Sequence, residues 1–269
     1  MTDPQKTSLV HEALSKVPQA TLMFWVVKIC ATTVGETGGD ALSMTLKLGY
    51  AAATLIFLGY FAVSMLLQVR ARRYHPLIYW LVVVATTTVG TTTSDFFDRT
   101  LHLGYVLSSA ILLAAVLAVL VAWKLTTGAI RADKIVSRKD EIFYWLTILV
   151  SNTLGTALGD FTADDTGLNL GFEKGAILFA ALIAVVAFVH WRKWAPQAVL
   201  FWAAYVLTRP LGATLGDTLT KPLTAGGLNL ERFAATGVIL AAMVGLVLLS
   251  PKLRQPASFE TPAGAGSSG

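Results

Sequence analysis

Trp25-Val26-Val27-Lys28-Ile29-Cys30-Ala31-Thr32-Thr33-Val34-Gly35-Glu36-Thr37-Gly38-Gly39-Asp40 carries the pattern that decides the fold. A tryptophan is followed ten residues later by a glycine, and five residues after that by an aspartate, at the far end of an apolar segment. The register returns at Trp80, Gly90 and Asp95, at Trp145, Gly155 and Asp160, and at Trp202, Gly212 and Asp217. Four copies without slippage mark an internally repeated architecture.

Working outward, the composition identifies the solvent. Of 269 residues 55% are hydrophobic and only 14% charged, with a mean hydropathy of +0.64. A soluble domain of this size is far more polar, so the expected class is an all-α integral membrane protein. Eight stretches are apolar enough to span as helices: 22–44, 48–67, 77–97, 103–123, 142–161, 172–190, 198–219 and 232–249. Each is close to the ~20 residues that a ~30 Å hydrocarbon core needs.

The formal charge of +5 does not signal nucleic acid. Arg70, Arg72, Arg73, Lys124, Arg131, Lys134, Arg138, Lys139, Arg192, Lys193, Lys252 and Arg254 all follow even-numbered spans, whereas the opposite loops hold Lys47, Arg99, Lys174, Lys221 and Arg232. By the positive-inside rule both termini are expected in the cytoplasm. Leu9, Ala13, Leu14 and Val17 suggest a short surface helix within 1–20, and 251–269 reads as a disordered tail. Cys30 is the only cysteine, and His11, His75, His102 and His190 form no pair for zinc.

The repeat unit reads as a two-helix hairpin, giving units at 21–69, 70–124, 125–191 and 192–250. A second signature follows each aspartate: Leu46-Lys47-Leu48-Gly49-Tyr50, Leu101-His102-Leu103-Gly104-Tyr105, Leu168-Asn169-Leu170-Gly171-Phe172 and the eroded Leu228-Asn229-Leu230-Glu231-Arg232. Two spans per unit make the four repeats parallel, so their aspartates share one depth. With each Trp at the inner interface, the glycine would lie about 15 Å in and the aspartate about 22 Å in. The glycine- and threonine-rich segments ending at Gly39 and Thr93 read as poor continuous helices, with broken backbone that could line a cavity.

Acids at this depth cost about 2.5–3.5 kcal/mol each on insertion scales and usually mark an ion or proton path. Asp40, Asp95, Asp160, Asp217 and Glu36, set against Lys28 and Arg209 alone, leave an excess of three negative charges to be met by protons or bound cations. Carboxylates with threonine hydroxyls such as Thr33 and Thr88, and with Asn152, form an oxygen donor set suited to a hard divalent cation such as Mn²⁺. The expected metal ligands are Glu36, Asp40, Asp95 and Asp160, centred on Glu36 and Asp40, with Arg209 as counter-ion to Asp217. Trp25, Tyr50, Trp80 and Tyr105 could instead hold an organic cation by cation-π contact.

Each element also has a packing role to weigh. The tryptophans suit interface anchoring or packing, the glycines close helix contact, and the aspartates helix ends at the outer surface. Lys28 could snorkel inward, and Asp164 and Asp165 fall in a solvated outer loop.

The four-repeat pattern resembles a bacterial inner-membrane family known as a repeat of unknown function, in four copies, over about residues 20–250. That resemblance implies a fold and a location but no activity. Glu36-Thr37-Gly38-Gly39-Asp40 is more loosely similar to the Glu-x-Gly-Asp-Lys motif of small cation/proton exchangers, with one extra glycine and no following lysine. The expected function is a secondary transporter, a proton-coupled exporter of a divalent cation, whose partners are the bilayer, the cation and protons, with no resident cofactor. The alternative is a non-transporting scaffold or sensor whose Thr, Gly and Asp repeats pack helices. An intramembrane enzyme lacks any nucleophile-base or HExxH signature. No motif encodes direction, stoichiometry or oligomeric state.

Overall fold

The computed structural model describes residues 16–130, 135 and 137–254. The expected surface helix lies mostly outside the described residues, as does the tail from 255. The described residues form eight long α-helices and no strand: α1 Leu22–Asp40, α2 Gly49–Arg70, α3 Pro76–Asp95, α4 Tyr105–Thr127, α5 Arg138–Ala163, α6 Phe172–Trp191, α7 Gln197–Thr220 and α8 Arg232–Leu249. Six of them, α2 to α6 and α8, are long and apolar enough to cross a membrane, as in a multi-pass membrane protein. Helices α1 and α7 carry buried charges, Lys28, Glu36 and Asp40 on the first and Arg209 and Asp217 on the second.

The odd-numbered helices form an inner ring in the order α1, α3, α5, α7, with α7 closing on α1. They are largely buried, whereas α2, α4, α6 and α8 bury only a few residues each and turn apolar side chains outward. The two helices of one repeat are consecutive but not principal neighbours. Helix α2 packs on α3, α4 on α5, α6 on α7, and α8 returns to α1. Each repeat therefore lays its outer helix on the inner helix of the next, so the hairpin read from sequence is opened.

Close approach within the ring follows from the repeated glycine. A Cβ on Gly35 would stand 3.0 Å from the Thr87 backbone carbon, on Gly90 3.0 Å from that of Asn152, and on Gly212 2.9 Å from that of Thr32. Gly155 rests against the Arg209 methylenes, 2.6 Å from Cγ. Thus each glycine receives the residue three places before the glycine of the next repeat, around the whole circle. A second small residue four positions on repeats the contact: Gly39 on Thr91, Gly159 on Ala213 and Gly216 on Glu36. This is the small-xxx-small device by which helices meet closely where lipid supplies no hydrophobic drive.

The expected helix breaks are not where composition put them. Helices α1 and α3 run unbroken through their Thr-Gly segments to Asp40 and Asp95, and widen to π-helical turns only afterwards, at Ala41–Thr45 and Phe96–Thr100. Thr32, Thr33, Thr37, Thr86, Thr87, Thr88, Thr91 and Thr92 each donate a hydroxyl to a carbonyl three or four residues back. In a dry interior that local bond satisfies each hydroxyl without breaking the helix.

The Leu-x-Leu-Gly signature is a backbone device. Lys47, His102, Asn169 and Asn229 have φ between 53° and 56°, and Gly49, Gly104 and Gly171 follow at positive φ before the outer helix begins. The fourth copy has Glu231 at that glycine's place, with ordinary φ, and its carboxylate caps α8 by accepting the amides of Phe233 and Ala234.

The tryptophans resolve to packing. Trp80 and Trp145 are about 1% exposed inside the main core cluster, so they pack within the ring and do not face outward.

Candidate functional site

Residues four apart on the inner helices stack as layers along the ring. From the tryptophan end the buried side chains run Phe24, Tyr79 and Tyr144; then Lys28, Val83, Ile148 and Tyr205; then Thr32, Thr87, Asn152 and Arg209; then Glu36, Thr91, Thr156 and Ala213; and then Asp40, Asp95, Asp160 and Asp217. Four residues turn an α-helix about 40° past a full circle, so the series winds slowly around each helix and nonetheless stays buried. One step further stand Met44, Arg99, Asp164 and Lys221.

Apolar and aromatic at one end, the axis becomes acidic at the other. Glu36, Asp40 and Asp217 converge: one carboxylate oxygen from each lies within 4.8 Å of the others, and all three residues are buried. They come from α1 and α7, which the chain places first and last in the ring. Gly216 makes room, since a Cβ there would stand 2.7 Å from the Glu36 Cβ.

The cations are arranged differently from the expectation. Arg209, wholly buried, donates from Nη2 to Glu36 Oε2 at 3.0 Å and to Thr91 Oγ1 on the opposite helix, and approaches the Thr32 carbonyl from Nη1 at 3.5 Å. It is the partner of Glu36, not of Asp217. Asp217 Oδ1 is met by Lys221 Nζ at 3.1 Å, and the same ammonium donates to Asp40 Oδ2 at 2.9 Å. Arg232 Nε adds a longer contact to Asp40 Oδ2, 3.6 Å. Lys221 follows α7 directly. Burial alone would pull its ammonium down, but the Asp217 and Asp40 carboxylates outweigh that and push it well above the ordinary lysine range.

Asp95 and Asp160, placed among the metal ligands by sequence, belong to the other half of the ring. Arg99 Nε holds Asp95 Oδ1 at 2.8 Å, and Arg99 Nη2 lies 3.7 Å from Asp164. Asp164 also accepts the Tyr105 hydroxyl at 2.9 Å, so it is part of this cluster rather than merely solvated. With Arg99, Lys221 and Arg232 at the acids, the excess of three negative charges no longer stands. Sequence reasoning treated these three as loop charges. The signal available was spacing, because Arg99 and Lys221 sit four residues after Asp95 and Asp217, one helical turn away.

The remaining expected site residues are dispersed. Thr33 and Thr88 bond their own helix backbone, and Thr88 lines an apolar outward groove with Val34, Phe57 and Phe233. Asn152 donates to Thr86 Oγ1 at 3.0 Å and packs on Gly90. Lys28 does not snorkel. It is wholly buried two layers from Glu36, with Nζ 4.3 Å from the centroid of the Tyr205 ring and no hydrogen-bond partner.

No curated protein and no solved structure matches the chain significantly. A family model described as Repeat of Unknown Function (DUF347) matches it four times, at 23–74, 78–129, 143–194 and 200–254. These matches coincide with the four copies of the Trp-Gly-Asp register around the ring, and the chain belongs to this family of repeats, in four tandem copies.

Proposed function

We propose that the protein is a secondary transporter of the bacterial inner membrane that exchanges a hard divalent cation, of the Mn²⁺ kind, for protons at the Glu36, Asp40 and Asp217 cluster. The observation that carries this reading is the convergence of three buried carboxylates from two repeats within 4.8 Å. Like charges so placed repel unless cations or protons compensate them. An all-oxygen set of this size suits a hard cation, and carboxylates that share a site exchange a bound cation for protons.

Placement of both termini in the cytoplasm rests on the basic residues that follow the even-numbered helices. Export as the direction, and the membrane named, belong to the same proposal. A second reading is favoured by one observation: Arg209, Lys221 and Arg232 already meet the three acids, as they would in a scaffold whose polar axis serves only to pack the ring.

Flux separates the two. The protein is reconstituted in liposomes holding a Mn²⁺-quenched dye and, in parallel, a pH dye. Transport predicts Mn²⁺ movement coupled to opposite proton movement, reduced at least tenfold by Glu36→Gln or Asp40→Asn. Absence of flux in the wild type, or flux unchanged in both variants, removes the transport reading and leaves the scaffold.

A further inference from the structure

The three cations at the triad differ in how firmly they are held. Arg209 is fixed in mid-helix, its side chain 0% exposed and its methylenes packed against Gly155. Lys221 and Arg232 stand instead at the two ends of the outer loop that joins α7 to α8. Their side chains are 11% and 20% exposed, which gives each long chain a path to solvent. Asp217 Oδ1 is buried without a hydrogen bond although the Lys221 ammonium lies 3.1 Å away, so this contact is Coulombic and has no fixed direction.

Charge counting then gives the seat its valence. Three carboxylates against Arg209, Lys221 and Arg232 sum to zero. With the two loop cations swung out and Arg209 in place, the pocket holds a net charge of two negatives, the complement of one divalent ion.

We infer that Lys221, assisted by Arg232, holds the place of a divalent cation in the resting protein, and that loading requires the Lys221 ammonium to leave Asp40 and Asp217. This rests on the proposed function and names the residue that sets its valence and resting occupancy. The ammonium is a tethered competitor: it keeps the acids compensated when no ion is bound and raises the concentration of ion needed to enter.

Isothermal titration of MnCl₂ into the full-length protein in lipid nanodiscs tests it, comparing wild type, Lys221→Met, Lys221→Arg and Glu36→Gln, with thermal unfolding recorded for each. The expected result is binding at least tenfold tighter in Lys221→Met, wild-type affinity in Lys221→Arg and loss in Glu36→Gln. If Lys221→Met unfolds, Lys221→Gln, which keeps a polar group at the mouth, replaces it with the same expectation. Wild-type binding with equal or weaker affinity in the folded Lys221 variant overturns this inference and leaves the transport reading standing. No Mn²⁺ binding in any of the proteins overturns both.

Discussion

Replacing Arg209 by Met removes the fixed cation and keeps the methylenes on which Gly155 rests. The loss is therefore electrostatic: Glu36 keeps only its bond from Thr91 Oγ1, at 3.2 Å, in a fully buried position. Breaking a buried pair from one side costs about 3–5 kcal/mol, because an uncompensated charge stays behind. Glu36→Gln leaves a neutral acceptor for Arg209 and is expected to cost less, about 1–3 kcal/mol. With both changes no charge is stranded, and the double variant should lie only about 1–3 kcal/mol below wild type. The two effects would then fail to add, with a coupling of about 3–5 kcal/mol, above the ~0.5 kcal/mol scatter of independent sites. Reversible unfolding of the four proteins in micelles, followed by the fluorescence of the buried Trp80 and Trp145, measures the cycle. Additivity within that scatter would refute the assignment of Arg209 to Glu36.

Two further predictions concern the ring and its outer rim. Gly212→Ala should destabilise by about 1–3 kcal/mol through overpacking against Thr32, whereas Gly59→Ala in α2, with nothing within 4 Å of the new methyl, should be neutral or stabilising by up to about 1 kcal/mol; melting temperatures decide. Burial would raise the Asp164 carboxyl, but its hydrogen bonds with Asp165, Tyr105 and the Thr166 amide outweigh this and hold it below the usual range. A depressed folded value gives stability that is present above the ordinary aspartate range near pH 4 and is lost as pH falls through the folded value. The melting-temperature gap between wild type and Asp164→Asn should therefore narrow between pH 6 and pH 3, and a gap that stays constant would contradict it.

Legibility in the sequence followed the range of each interaction. Periodicity and composition are local, and they sufficed for eight helices, four units and the two lone charged positions Lys28 and Arg209. The spacing Gly35-xxx-Gly39, with Gly155-xxx-Gly159 and Gly212-xxx-Gly216, was equally open to reading as a contact motif. Partner choice was not. Whether Arg209 reaches Glu36 or Asp217 depends on ring order, and ring order puts α1 beside α7 across the full length of the chain. The same closure divides the acids into a triad between the first and last repeats and an Arg99 cluster between the middle two, a division invisible while the four aspartates are compared only in register.

The offset seating of the outer helices bears on how the molecule matures. Every inner helix except one is covered by the helix synthesised just before it. Helix α1 alone is covered by α8, which is synthesised after the other seven. Its Thr37 and Gly38 surface, where Thr236 docks, stays unsheathed until α8 has been made. Chains stopped short of residue 232 would keep that flank bare, so completion of the circle is a natural checkpoint at which quality control could distinguish finished molecules from abandoned ones.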